Sequence, residues 1–265
     1  MGILNLTPDS FYDGGKYVHH KNIFRRIDEL VEQKADIIDV GAFSSRPGAE
    51  FIESPEEIKR LKPALEYFLK NYPEAIVSVD TYRSEIASIA VSDYGVSIIN
   101  DISAGELDGK MFETIAALKV PYIMMHMKGQ PGNMQQSPVY ENIIEEVIGY
   151  FAKKTAQLKA LGVIDIILDP GFGFGKSILH NYALLKQLNE FQIFERPILA
   201  GFSRKSMIYK VLDCKPGEAL NGTTVLNAFA LERGINILRV HDVPEAHQVV
   251  KLYDLCRPNM NLMND

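Results

Sequence analysis

Eight short apolar runs recur along this chain, each ending in polar residues or glycine, with helix-like stretches between them. Most runs are continuous Val, Ile, Leu and Met rather than alternating apolar and polar residues, which is typical of parallel strands covered on both faces. The stretches between them carry apolar residues at helical spacing. The predicted strands cover residues 2–5, 37–41, 75–80, 96–100, 121–126, 164–169, 197–201 and 235–240.

Alternating strands and helices predict an α/β fold, and eight repeats predict a (β/α)8 TIM barrel that forms a single domain over residues 1–265. An open, doubly wound sheet is the alternative. The even spacing of the runs and the lack of a domain linker favour the barrel. The length also fits, because α/β barrels run to about 250 residues as one domain.

Charge and composition narrow the class of partner. The formal net charge of −6 argues against nucleic acid or an anionic membrane surface. No apolar run approaches the roughly 20 residues that span a bilayer, and the first residues lack the basic region of a signal peptide. Cys214 and Cys256 lie far apart and form no metal or redox motif. We therefore expect a cytoplasmic protein that binds small molecules.

Polar side chains stand where most of the predicted strands end. A single aspartate or asparagine there is more often a turn or capping residue, and a histidine among methionines is more often a satisfied core residue. The joint pattern is harder to explain by capping, because a barrel brings the carboxyl ends of all its strands to one mouth. The converging residues would be Asn5, Asp39, Asp80, Asn100, His126, Asp169, Arg239 and His241.

A glycine-rich loop follows the sixth predicted strand. Asp169 opens it, and residues 168–176 read LDPGFGFGK. Glycines let backbone approach a ligand, and phenylalanines offer flat apolar walls. The spacing lacks the G-x-G-x-x-G pattern of dinucleotide sites. An ionised aspartate here suits a ligand with adjacent N–H donors, such as a 2-amino-pyrimidinone ring.

Two basic segments predict an anion site. Residues 203–206 read SRKS and stand between the seventh strand and a helical stretch, where barrels commonly hold an anion; a solvated basic patch is the alternative. Arg239 and His241 share one face of the eighth strand, which neighbours Asn5 in a closed barrel. They predict a clamp for phosphate or pyrophosphate rather than a metal site, since arginine is not a metal ligand. The loops at 7–15 and 44–48 are candidate lids.

These motifs, in this order, resemble the dihydropteroate synthase family of pterin-binding enzymes. Residues 1–11 read MGILNLTPDSF, residues 38–41 read IDVG, and residues 45–48 read SRPG. The resemblance continues with SVDT at 78–81, IND at 99–101, MHM at 125–127, LDPGFGFGK at 168–176, SRKS at 203–206 and RVHDV at 239–243. It extends from residue 1 to about residue 250.

The resemblance implies a transferase of folate biosynthesis, of the kind that sulfonamides target. Such an enzyme condenses 6-hydroxymethyl-7,8-dihydropterin diphosphate with p-aminobenzoate to give 7,8-dihydropteroate and pyrophosphate. Two alternatives stay open. One is a methyltetrahydrofolate-dependent methyltransferase, which needs no diphosphate clamp. The other is a non-catalytic pterin-binding homologue.

The resemblance also implies roles for individual residues. The catalytic residues would be Asp80, Lys205 and Asn5. Pterin would contact Asp80, Asn100, Asp169 and Lys205. The diphosphate would contact Asn5, Ser45, Arg239 and His241, with Asn5 also binding the cofactor Mg²⁺. The residues for p-aminobenzoate would be Phe11, Arg46, Pro47, Phe174 and Ser206.

Two departures from the family pattern accompany these expectations. The family usually carries a stretch before the first signature, so the chain is expected to lack an N-terminal segment. Phe43 stands where an acid is common. The resemblance further implies a homodimer through the last helices, to which Leu226, Phe229 and Leu231 could contribute, although a core role for them is equally natural.

Overall fold

All eight predicted strands are present in the computed structural model, which describes residues 1–7, 16–43, 52–129, 134 and 138–256. Each strand is two to four residues long, and most are shorter than the apolar run that predicts them. The strands are β1 Gly2–Asn5, β2 Ile38–Gly41, β3 Val77–Asp80, β4 Ile98–Asp101, β5 Tyr122–Met125, β6 Ile166–Asp169, β7 Leu199–Ala200 and β8 Ile237–Leu238.

Helices separate the strands, and local sequence explains several of their ends. The Asn142 side chain accepts hydrogen bonds from the backbone N–H groups of Ile144 and Glu145 and so caps the fifth helix. Ser177 and His180 form a reciprocal capping box on the sixth. The helices are α1 Lys16–Glu32, α2 Ser54–Asn71, α3 Ser84–Tyr94, α4 Met111–Leu118, α5 Ile143–Ala160, α6 Ile178–Lys186, α7 Ser206–Tyr209, α8 Leu220–Glu232 and α9 Val243–Cys256.

The strands pair in parallel and in chain order. β1 to β6 form one sheet, and β7 pairs with β8. Single bridges then join the two sheets at both edges: Leu168 pairs with Ile198, and Gly2 pairs with Val240. The α/β prediction is confirmed. The cyclic order of pairing, in which the last strand lies beside the first, is the order that a (β/α)8 barrel requires and an open sheet does not have.

Neighbouring residues of a strand face opposite sides, so the strands serve two cores. Leu4, Val40 and Ile99 pack outward against the helices in the larger core. Ile98, one residue before Ile99, instead belongs to a small inner cluster enclosed by the strands. That inner cluster contains Met1, Ile98, Ile123, Ile167 and Leu199.

The strand register aligns the polar residues above this inner cluster. Asn5 stands opposite Gly41, Gly41 opposite Asp80, and Asp80 opposite Asn100. Met125 stands opposite Asp169 on the next pair of strands. The carboxyl ends of the strands therefore carry a polar row, which is interrupted by Gly41 and Met125. No helix in the described part of the chain is long and apolar enough to cross a membrane.

Candidate active site

Asp39 is the centre of a buried hydrogen-bond cluster at this polar row. One of its carboxylate oxygens, Oδ2, accepts from the Asn100 amide at 3.0 Å and from Arg239 Nε at 2.7 Å. Arg239 Nη2 also donates to Asp80 Oδ2 at 3.1 Å. A single arginine from the end of β8 thus binds two carboxylates, from β2 and β3. The other oxygens, Asp39 Oδ1 and Asp80 Oδ1, are buried and have no hydrogen-bond partner among the described residues.

Burial and charge oppose each other in this cluster. Burial raises the pKa of Asp80 above its usual range, and the nearby Asp39 adds to the rise while Arg239 opposes it. Burial lowers the pKa of Arg239, but the attraction of Asp39 and Asp80 outweighs it and raises that pKa. The guanidinium therefore stays charged, and Asp80 holds its proton more tightly than an exposed aspartate does.

A second cluster lies at the ends of β6 and β7. Asp169 Oδ1 accepts the backbone N–H of Gly171 at 2.8 Å, which fixes the start of the glycine-rich loop. Lys205 Nζ donates to the Phe172 carbonyl at 2.6 Å and lies 4.8 Å from the centre of the Phe174 ring. Burial lowers the pKa of Lys205 to about 8, against the attraction of Asp169. Burial likewise raises the pKa of Asp169, against the attraction of Lys205.

His126 is a core histidine rather than an open member of the site. Its side chain is buried, and its Nδ1 lies 2.9 Å from Lys176 Nζ. Burial and the charge of Lys176 lower the pKa of His126 to about 2, so the ring is neutral. The interpretation of His126 as a satisfied core residue is confirmed.

The loop after β7 differs from the predicted anion site. Arg204 donates to both carboxylate oxygens of Asp242, at 2.7 and 3.0 Å, and also to the Gly217 carbonyl. Its guanidinium is therefore committed to a salt bridge and not directed at an anion. The following helix, α7, has only four residues, which gives it a weak dipole. The side chain of Lys205, in the same segment of residues 203–206, does extend to the polar row.

His241 lies beside the same loop. Its Nδ1 is 2.9 Å from the Ser203 hydroxyl, and burial lowers its pKa to about 4. The ring is therefore neutral near pH 7 in this arrangement, in which it is a hydrogen-bonding group beside the loop. Burial and the neighbouring positive charge of Arg239 disfavour the imidazolium, so Arg239 carries the positive charge of this pair.

The structure brings together most of the predicted site residues that it describes. Asn5, Asp80, Asn100, Asp169 and Arg239 stand at the carboxyl ends of strands or directly after them, and Lys205 lies in the loop after β7. Phe174 lies under Lys205, and Ser206 begins α7. Phe11, Ser45, Arg46 and Pro47 lie outside the described residues. The sequence singled out neither the central role of Asp39 nor any role for Lys176; the only signals were that Asp39 lies within a buried strand and that Lys176 ends the glycine-rich loop.

Asn5 offers one ligand for a metal ion. Its half-buried amide stands at the end of β1, and amide oxygens are suitable ligands for Mg²⁺. The described residues contain no group of three or more His, Cys, Asp or Glu side chains that could hold a metal alone. Mg²⁺ is usually bound through one or two carboxylates together with substrate phosphates and several waters, and Asn5 would add an amide oxygen to such a set.

The chain matches the pterin binding enzyme family over residues 1–241. It belongs to that family. Dihydropteroate synthase of Haemophilus influenzae is 39% identical over 96% of this chain and 92% of its own length. Dihydropteroate synthase of Escherichia coli K12 is 40% identical over 96% of this chain and 90% of its own length.

Solved structures agree. Yersinia pestis dihydropteroate synthase, in complex with a sulfonamide drug, superposes with a TM-score of 0.89 and 36% identity over 96% of this chain and 92% of that one. Xanthomonas albilineans dihydropteroate synthase with 4-aminobenzoic acid superposes with a TM-score of 0.89 and 32% identity, over 97% of this chain and 93% of that one. The resemblance drawn from the motifs is confirmed, and neither alternative is favoured.

Proposed function

We propose that this protein is a dihydropteroate synthase, a transferase that joins 6-hydroxymethyl-7,8-dihydropterin diphosphate to p-aminobenzoate. One observation carries the proposal. Asp80, Asn100, Asp169, Lys205 and Arg239 converge at one end of the strands, in a chain about 40% identical to named synthases. Buried acceptors and buried cations side by side suit a substrate that has N–H donors at one end and phosphate charge at the other.

The acceptors account for pterin recognition. Asp169 uses one oxygen for the Gly171 N–H, which leaves lone pairs for the 2-amino-pyrimidinone edge. Asp80 Oδ1 is buried without a partner among the described residues, and a ring N–H would satisfy it. Lys205 supplies a donor for the ring carbonyl, and Asn100, held by Asp39, supplies an amide.

The cations account for the leaving group. The C–O bond to the diphosphate breaks more readily when positive groups neutralise the charge that develops on the leaving oxygen. Arg239 uses Nε and Nη2 for the two aspartates, and Nη1 has no other partner among the described residues. His241 and Asn5 flank it at the ends of neighbouring strands. Mg²⁺, bound through Asn5 and the diphosphate, would supply further neutralisation.

Bond cleavage leaves cationic character on the pterin methylene, which is delocalised into the ring. In its ionised form, which Arg239 favours and burial opposes, Asp80 would stabilise that charge. The aryl amine of p-aminobenzoate then needs positioning more than activation. Phe174 and Ser206 are proposed contacts for it, together with Phe11, Arg46 and Pro47, and Ser45 is a proposed contact of the diphosphate.

A product assay tests this function. The wild-type protein is incubated with the pterin diphosphate, with and without p-aminobenzoate and with and without Mg²⁺. We expect 7,8-dihydropteroate and pyrophosphate in equal amounts when all components are present, and a strong decrease after chelation of Mg²⁺. No dihydropteroate under any condition would contradict the proposal. Turnover unchanged by chelation would contradict the role of Mg²⁺ alone.

We also propose that the protein forms a homodimer through α8 and α9. Leu226 and Leu231 are buried in the core, whereas Phe229 on the same helix is 50% exposed and Val225 is 43% exposed. Leu252 on α9, which packs against α8, is also exposed. Exposed apolar side chains on two helices that pack together are candidates for such an interface.

Light scattering tests this dimer. We expect the wild-type protein to have twice the mass of the chain and Phe229→Asp to shift toward the monomer. Leu179→Asp, at an exposed apolar position on α6, is the matched control and should leave the mass unchanged. A monomeric wild-type protein would contradict the proposal.

A further inference from the structure

Lys176 is a buried lysine at the end of the glycine-rich loop, where the proposed reaction gives it no chemical role. Its side chain is almost completely inaccessible, and four acceptors lie within hydrogen-bond distance of its Nζ, one more than the three N–H donors of an ammonium. These are the Phe174 carbonyl at 3.0 Å, the Gly171 carbonyl at 3.0 Å, the His126 carbonyl at 3.2 Å and His126 Nδ1 at 2.9 Å. A buried lysine is costly, so such a complete set of partners indicates a specific function.

The partners of Lys176 belong to two loops that meet at the site. The loop after β6 contributes Gly171 and Phe174, and the end of β5 contributes His126. The two backbones are so close that a side chain at Gly171 would collide with the His126 carbonyl. Gly175, which has a φ of 58°, meets the Lys128 carbonyl in the same way. Lys176 Nζ therefore connects carbonyl groups that approach each other closely.

The loop that Lys176 binds carries the pterin-site contacts on its other side. Gly171 accepts from Lys176 through its carbonyl and donates through its N–H to Asp169. Phe172 lies in sequence between Gly171 and Phe174, and its carbonyl accepts a hydrogen bond from Lys205. The Phe174 ring lies under the Lys205 ammonium. Asp169 and Lys205 therefore both contact the loop that Lys176 binds. Asp169 does so through the Gly171 N–H, and Lys205 through the Phe172 carbonyl and the Phe174 ring.

We propose that Lys176 is a positioning residue, which holds the β6 loop in the shape that presents Asp169 and Lys205 to the pterin. The proposal rests on the proposed function, because it assumes that the pterin binds at these residues. His126 takes part on the other side, because its Nδ1 and its carbonyl both face Lys176 Nζ, at 2.9 and 3.2 Å. A displacement of catalytic groups by about 1 Å can reduce activity by about 100-fold, so a residue outside the reaction can matter greatly.

Two variants of Lys176 test the proposal, with one matched control. Lys176→Met keeps the length and removes the donors, whereas Lys176→Gln keeps two N–H donors for the loop carbonyls. Lys154→Met is the control, because Lys154 is a similarly buried lysine on α5 whose ion-pair partner, Glu106, lies between β4 and α4 and not in the β6 loop. The measurements are the dissociation constant of the pterin diphosphate by calorimetry, without p-aminobenzoate, and the thermal midpoint of each variant.

We expect Lys176→Met to weaken pterin diphosphate binding by about tenfold or more, since the loop loses the contact that orients Asp169 and Lys205. Lys176→Gln should recover part of that affinity. Lys154→Met should bind as the wild-type protein does, even where its thermal midpoint falls. A folded Lys176→Met protein with wild-type affinity would overturn the proposal, and so would loss of fold in both Lys176 variants, since Lys176 would then serve stability. A wild-type protein that makes no dihydropteroate would instead contradict the proposed function.

Discussion

The two ends of the strands carry opposite kinds of side chain at positions that face the same way. Near the amino ends, Ile98 and Ile167 pack in the inner apolar cluster. Two residues later on the same strands, Asn100 and Asp169 belong to the polar row. Side chains alternate along a strand, so residues two positions apart point to the same face of the sheet. They differ only in how close they lie to the carboxyl end of the strand. The fold therefore separates stability from chemistry along each strand, and the separation can be tested one residue at a time.

The largest effect is expected at the polar end, from Lys205→Ala. This change removes the ammonium that lies between the Phe172 carbonyl and the Phe174 ring. We expect the rate of dihydropteroate formation to fall by about 100- to 1,000-fold, as when a preorganised donor is lost from other active sites. Circular dichroism should show a folded protein. Normal turnover in this variant would remove Lys205 from the site.

The apolar end should respond in the opposite way. Ile167→Ala removes side-chain volume from the inner cluster, which we expect to lower the free energy of unfolding by about 2–5 kcal/mol. Denaturant titration measures that loss. The activity of the folded fraction should stay close to that of the wild-type protein, because the change lies one layer below Asp169. A large loss of activity at unchanged stability would contradict the separation.

The sequence predicts the strands, their order and most of the polar row, because each depends on local pattern and on the geometry common to parallel strands. It does not predict which partners these side chains choose. Arg239 was expected to face a diphosphate, yet it also binds Asp39 and Asp80 across the strands. Arg204 looked like part of an anion site, but it is paired with Asp242, a residue 38 positions away. Such pairings depend on three-dimensional proximity, which a run of residues does not reveal.

A smaller effect is expected from Asp169→Asn, which keeps the shape of the side chain and removes its charge. The amide has one acceptor oxygen, and the Gly171 N–H already needs it. A hydrogen bond to a charged group contributes about 1.5–3 kcal/mol, so pterin binding should weaken by about 10- to 100-fold. Calorimetry with the pterin diphosphate gives the value, and unchanged affinity would argue against this contact.

The smallest effect is a pH dependence of stability at Asp80. Burial raises its pKa in the folded state, so its contribution to stability is present at low pH and is lost as pH rises from about 4 through the raised pKa. The asparagine of Asp80→Asn cannot ionise, so the variant does not lose stability in this way as the pH rises. The thermal midpoint of the variant, relative to that of the wild-type protein, should therefore increase with pH above about 4. A constant difference across that range would show that Asp80 is not perturbed.

The location of the pterin tests the separation of the two ends most directly. A cavity of about 450 Å³ also lies at the amino ends, where Met1, Ile37, Leu238 and Tyr253 line it, so binding there is a real alternative. The measurement is a crystal structure of the wild-type protein with 6-hydroxymethylpterin diphosphate. We predict that the pterin ring lies against Asp169 and Lys205 and that the diphosphate lies near Arg239. A pterin bound in the cavity at the amino ends, with the polar row empty, would contradict this prediction.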